Sequence, residues 1–81
     1  MRTPRGLSGT DLAQALEALG YTVTRQTGSH LRLSTDQHGR HHVTIPRHDS
    51  LKIGTTAAIL AEVARHAGLE KDALIGLLFP R

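Results

Sequence analysis

An α+β fold is what this sequence predicts: one three-stranded antiparallel sheet with helices packed on a single face. Three observations carry that expectation. A capped, leucine-spaced helix opens at Ser8. Three short segments, 21–26, 30–34 and 41–45, then alternate apolar and polar residues with period two. A second apolar stripe at helical spacing follows, from about Thr55 to Ala67. The resulting order is α-β-β-β-α plus a short C-terminal helix. Such a sheet buries one face and leaves the other wet.

Each element has its own signals. Ser8 is a good N-cap, and Asp11 three residues later can return the hydrogen bond as a capping box. Leu7 and Leu12 flank the cap as a hydrophobic staple. Leu12, Leu16 and Leu19 recur at helical spacing beside Ala15, and Gly20 is placed to end the helix in the left-handed conformation. In the strands, Tyr21, Val23, Leu31, Leu33, Val43 and Ile45 share the face expected to meet the core. The opposite face is expected to carry Thr22, Thr24, His30, Arg32, Ser34, His42 and Thr44. A turn with Asp36 and Gly39 joins the second and third strands, and Pro46 stops the third. Ile59, Leu60, Val63, Ala64 and Ala67 form the stripe of the long second helix. Gly68-Leu69 predicts a Schellman end with its hydrophobic contact. Glu70 to Leu78 predicts a third helix with Leu74, Leu77 and Leu78 facing inward.

Composition narrows the classes. The length of 81 residues suits a single domain, 1–81, with residues 1–6 expected as a flexible N-terminus. Tyr21 and Phe79 are the only aromatics, so Leu, Ile, Val and Ala must build the core. With no cysteine there is no disulfide scaffold and no thiolate metal site, which fits a reducing, cytoplasmic setting. No apolar run approaches the roughly 18 residues of a membrane span. The basic start Met1-Arg2-Thr3-Pro4-Arg5 is not followed by the apolar segment of a signal peptide.

The formal charge is only +3, with ten Lys and Arg against seven Asp and Glu. Placement says more. Between positions 38 and 52 fall His38, Arg40, His41, His42, Arg47, His48 and Lys52, opposed only by Asp49. Such a patch suits a phosphate-bearing partner, or is simply a solvated basic loop.

His30 follows Gly28 and Ser29 and projects from the start of the second strand onto the open face. Imidazole can take and return a proton near neutral pH. RNA carries its own nucleophile, the 2′-hydroxyl. A metal-free ribonuclease needs a base for it, an acid for the leaving 5′-oxygen, and positive charge on the phosphate. His30 can supply the first or second; Arg32, Arg47, His48 or Lys52 can supply the third. From position alone, an isolated strand histidine is more often an ordinary surface residue. His38, His41 and His42 do not read as a metal site, because neighbouring strand residues point to opposite faces. His66, near a helix C-terminus, favours the helix dipole. No nucleophile triad, phosphate loop or dinucleotide fingerprint occurs.

The ordered set of pieces resembles one family. Leu7-Ser8-Gly9 opens the first helix and Leu19-Gly20-Tyr21 closes it. Gly28-Ser29-His30-Leu31-Arg32 follows, then Val43-Thr44-Ile45-Pro46-Arg47-His48, Leu51-Lys52, Gly54-Thr55, Ile59-Leu60 and Ala67-Gly68-Leu69. With these spacings, from about Leu7 to Leu78, the chain resembles the HicA (YcfA-like) toxins of bacterial type II toxin-antitoxin pairs. The resemblance implies a fold like the double-stranded-RNA-binding domain. It also implies metal-independent cleavage of mRNA as an mRNA interferase, with no cofactor, and an inhibitory complex with a HicB-type antitoxin. It places the catalytic histidine at His30. It makes Gly28, Ser29, Arg32, Arg47, His48 and Lys52 the candidate RNA-binding residues. Leu33 stands where many members carry an aromatic. A non-catalytic RNA-binding module and a protein-interaction domain remain the alternatives.

Overall fold

The computed structural model describes residues 3–80. Of the N-terminal segment 1–6, residues 1–2 lie outside the described residues, and 3–6 form neither helix nor strand. The capping box forms as expected. Ser8 Oγ accepts the Asp11 N–H and Asp11 Oδ2 accepts the Ser8 N–H, each at 3.0 Å. It starts helix α1, Gly9–Ala15, which tightens into a 3₁₀ turn over Leu16–Leu19. Gly20 ends the turn at φ +80°, a conformation that an L side chain resists.

Strands β1 (Thr22–Gln26), β2 (His30–Thr35) and β3 (His41–Pro46) form one antiparallel sheet in the order β1-β2-β3. Helix α2 runs Ile53–Ala67, starting two residues before the expected Thr55, and α3 runs Lys71–Leu78. The Schellman bond from the Leu69 N–H to the Ala64 carbonyl forms at 2.9 Å. The expected order α-β-β-β-α with a C-terminal helix is therefore present.

The core lies between the inner sheet face and the helices. Leu31, Leu33, Val43 and Ile45 meet Leu12, Leu16, Leu60, Val63 and Leu74 there. Period two predicted the sheet half of this list, and helical spacing the other half. Three expectations need correction. Val23 has the inner parity but is 48% exposed, because it sits on edge strand β1 and lines an open groove. Leu77 is 48% exposed, while Ile75 is buried in its stead with Leu74 and Leu78. Leu69 makes its backbone bond, yet its side chain is 36% exposed. Ser34 lies on the open face as expected and is 9% exposed there, covered by its bonds to Thr24 and His42.

Candidate functional site

The β1–β2 turn positions His30. Thr27 Oγ1 accepts the Ser29 and His30 N–H groups, and the Thr27 N–H donates to the His30 carbonyl at 3.0 Å. The central strand therefore starts with a tightly bonded turn. His30 itself is exposed, and its Nδ1 lies 2.9 Å from Ser29 Oγ. The hydroxyl serves either tautomer: it donates to a bare Nδ1 or accepts from a protonated one. Nε2 has no partner among the described residues, so it is the nitrogen left for chemistry.

The same turn gathers Arg47. Its backbone N–H donates to the Ser29 carbonyl at 2.8 Å, and its guanidinium donates to the Thr27 carbonyl at 3.1 Å. One of the five guanidinium N–H donors is thereby used, and the others remain for an anion. The segment that carries Arg47 is clamped on its far side by the start of α1. The Gly9 N–H donates to the His48 carbonyl at 2.9 Å, and the Leu51 N–H to the Leu7 carbonyl at 2.7 Å. An added Cβ on Gly9 would stand 2.1 Å from the Pro46 carbonyl oxygen, so only glycine lets the helix start approach Pro46-Arg47 this closely.

The other sequence candidates are distributed as follows. Arg32 lies two residues along β2 on the His30 face, about 6.7 Å away by strand rise, opposite Thr44 on β3. Gly28 is open, with nothing near its missing Cβ. The His48 side chain is exposed and takes no hydrogen bond among the described residues, while its carbonyl accepts the Gly9 N–H. Lys52 is exposed at the N-cap of α2, and its side chain is not tied to the His30 turn. A groove of about 400 Å³ between α1 and β1 includes Arg47 but not His30. It lies on the helix side of the sheet, while His30, Arg32 and Thr44 are exposed on the opposite face.

Sequence reasoning missed Arg25. The pairing of β1 with β2 slips between Val23 and Arg25, so that Arg25 opposes Arg32 while Val23 opposes Leu33. Strict alternation from Tyr21 and Val23 would turn Arg25 inward. The bulge returns it to the open face.

The histidines of the basic run separate. His42 Nδ1 meets Ser34 Oγ on the open face. His42 is in register with Ser34, four residues or about 13 Å along the sheet from His30, too far to share one phosphate with it. His41 turns to the other side. Its Nδ1 is hydrogen-bonded to the hydroxyl of the buried Tyr21 at 2.7 Å, and its Nε2 lies 3.6 Å from Glu62. His66 stacks on it with ring centroids 4.3 Å apart, and His66 Nε2 donates to the Gln37 and Gly39 carbonyls at 3.0 Å. Burial, then the neighbouring His66, hold the His41 pKa below its usual value, with smaller contributions from His42 and Arg65; Glu62 opposes them. Burial and the Glu62 charge push the Tyr21 pKa up. His66 was expected only to complement a helix end; it locks the β2–β3 turn to α2. No group of three His, Cys, Asp or Glu among the described residues is arranged to hold a metal ion.

The family model for the HicA toxin of bacterial toxin-antitoxin systems matches residues 9–69. The chain belongs to the HicA toxin family. The match takes in the Gly28-Ser29-His30 turn, the whole sheet and α2. Comparison with curated proteins and with solved structures gives no significant match. As a HicA-family toxin, the chain has an antitoxin as its counterpart. No helix among the described residues is long and apolar enough to cross a membrane.

Proposed function

We propose that this HicA-family toxin is a metal-independent endoribonuclease that cleaves mRNA and blocks translation, with His30 as its general acid or base. The observation that carries the reading is the His30 turn. An exposed imidazole is held by Ser29 at one nitrogen and bare at the other, with Arg47 bonded to the same turn. In this reaction a base removes the 2′-hydroxyl proton and the 2′-oxygen attacks phosphorus. The bond to the 5′-oxygen breaks, and an acid returns a proton to it. The products are a 2′,3′-cyclic phosphate and a 5′-hydroxyl. Positive charge on the phosphate stabilises the transition state.

Ser29 orients His30, and Gly28 leaves the turn open to the RNA chain. Arg32, Arg47, His48 and Lys52 hold the backbone. Contacts of this kind position RNA without reading its sequence. The active unit is a single domain spanning 1–81, working in the cytoplasm. A HicB-type antitoxin silences it by covering the face around His30.

The test is cleavage of a long single-stranded RNA by purified protein. His30→Ala is expected to lower the rate by the 10²–10⁴-fold typical of a lost acid or base. A chelator should leave wild-type cleavage unchanged. Full activity in His30→Ala removes His30 from the chemistry, and loss of activity with chelator removes the metal-independent route. RNA binding without cleavage products would favour a non-catalytic binding module.

A further inference from the structure

The bulge in β1 puts two arginines side by side. Arg25 and Arg32 are cross-strand partners, and both are exposed. Directly opposed residues on antiparallel strands stand about 5 Å apart at Cβ, where like charges destabilise the pair. A sheet that existed only to fold would gain by putting a carboxylate at one of these positions. None is on this face. Asp11 and Glu17 are on α1 and its 3₁₀ turn, Asp36 is in the β2–β3 turn, and Asp49 is in the loop after β3. Glu62 is on α2, and Glu70 and Asp72 are at the start of α3. Neither Arg25 nor Arg32 has an ion-pair partner among the described residues.

The arrangement is also held in place. Thr24, the extra residue of the bulge, donates from Oγ1 to the Arg32 carbonyl at 3.3 Å and meets Ser34 Oγ at the same distance. Ser34 is in turn bonded to His42. The hydroxyl chain fixes the strand slip that brings Arg25 outward. The pair sits one same-face step along β2 from His30, roughly 6.7 Å. That is of the order of one nucleotide repeat along an RNA backbone.

We infer that Arg25 and Arg32 form a two-guanidinium clamp for one backbone phosphate of single-stranded RNA, adjacent to the phosphate that His30 acts on. The inference rests on the ribonuclease reading for its substrate class, and Arg25 is the residue it adds. The clamp sets the register of the RNA on the sheet. A bound phosphate places its negative charge between the two guanidiniums and offsets their repulsion, which explains why the free protein carries them opposed and unpaired.

The experiment measures binding of a fluorescein-labelled, mixed-sequence single-stranded RNA oligonucleotide by anisotropy across a salt series. It compares His30→Ala with His30→Ala carrying Arg25→Gln, so that cleavage does not interfere. Arg25→Gln should lower the slope of log affinity against log salt, and Arg25→Gln with Arg32→Gln together, which remove the whole contact to one phosphate, should lower it by about 0.7. In the cleaving protein, Arg25→Gln should raise KM several-fold and lower kcat less, and Arg25→Lys should recover most of the salt slope. Thermal melting of Arg25→Gln should be no lower than wild type, because a like-charge pair is relieved. An unchanged salt slope and KM overturn the clamp, even if cleavage by wild type is normal and the ribonuclease reading stands. A reduced slope in a protein whose wild type never cleaves RNA supports the clamp and removes the ribonuclease reading. No salt-dependent RNA binding by wild type overturns both.

Discussion

Substituting Gly9 by alanine should destabilise the protein by about 2 kcal/mol, against the sign that helix propensity gives. Gly9 is the first residue of α1, and its N–H donates to the His48 carbonyl. A Cβ there would stand 2.1 Å from the Pro46 oxygen and 3.2 Å from Arg47 Cα. Those neighbours are backbone, so no rotamer change makes room. Either α1 or the Pro46-Arg47 segment must move. Overpacking of this kind costs about 1–3 kcal/mol, and losing the bond to His48 adds about 1. Removing a glycine from a helix returns at most about 1. For a domain of this size, 2 kcal/mol corresponds to roughly 10 °C in melting temperature. The control is Gly54→Ala on α2, where nothing lies within 4 Å of the added atom. That change should be neutral or stabilise by up to about 1 kcal/mol. Thermal and urea denaturation of both variants decide the matter. If Gly9→Ala is as stable as Gly54→Ala, the close docking of α1 on Pro46-Arg47 is wrong. So is the claim that this docking supports the His30 turn through the Arg47–Ser29 bond.

Two further outcomes follow from the packing. His41 resists protonation in the fold, because burial and the stacked His66 hold its pKa below the ordinary 6.5. The unfolded chain therefore binds a proton that the native state resists. Stability should be full above about pH 6.5 and decline as pH falls below it, seen as a lower urea midpoint at pH 5 than at pH 7.5, with His41→Gln flattening the difference. In α3, Ile75→Ala should cost about 2–5 kcal/mol and Leu77→Ala within about 0.5, since Ile75 is 3% exposed and Leu77 48%. Equal melting temperatures for those two variants would refute the side of α3 that faces the core.

What the sequence made legible is what short-range physics decides. Ser8 and Asp11 cap α1 because both partners of each bond lie within one turn. Leu31, Leu33, Val43 and Ile45 are buried because period two fixes their face once one face is covered. Burial of Val23 and Leu77 depended instead on what lies over them. Val23 has the right parity on an edge strand, with an open groove above it. Ile75 and Leu77 are both apolar, and only the packing of α3 against α2 and the 3₁₀ turn chooses between them. At the site, His30 was legible from alternation and from the family resemblance. The gathering of Arg47 was not, because it depends on a bond to Ser29 between residues 18 positions apart in the chain.

Arg25 marks where the sequence held a signal that parity alone hides. With Tyr21 and Val23 inward, alternation demands that Arg25 follow them. An inward guanidinium would lie over the apolar Leu31 and Leu33, where whatever part of it the groove covers loses solvation. Turned outward it keeps its hydration in full, and the slip in pairing that turns it outward lies between Val23 and Arg25. Gln26, the next residue, takes the inward parity opposite Leu31 and lines the groove, where its amide can meet water. A charged residue at an apolar parity on an edge strand is thus a sequence-level reason to expect a bulge. In this protein that bulge decides whether the open face carries one arginine beside His30 or two.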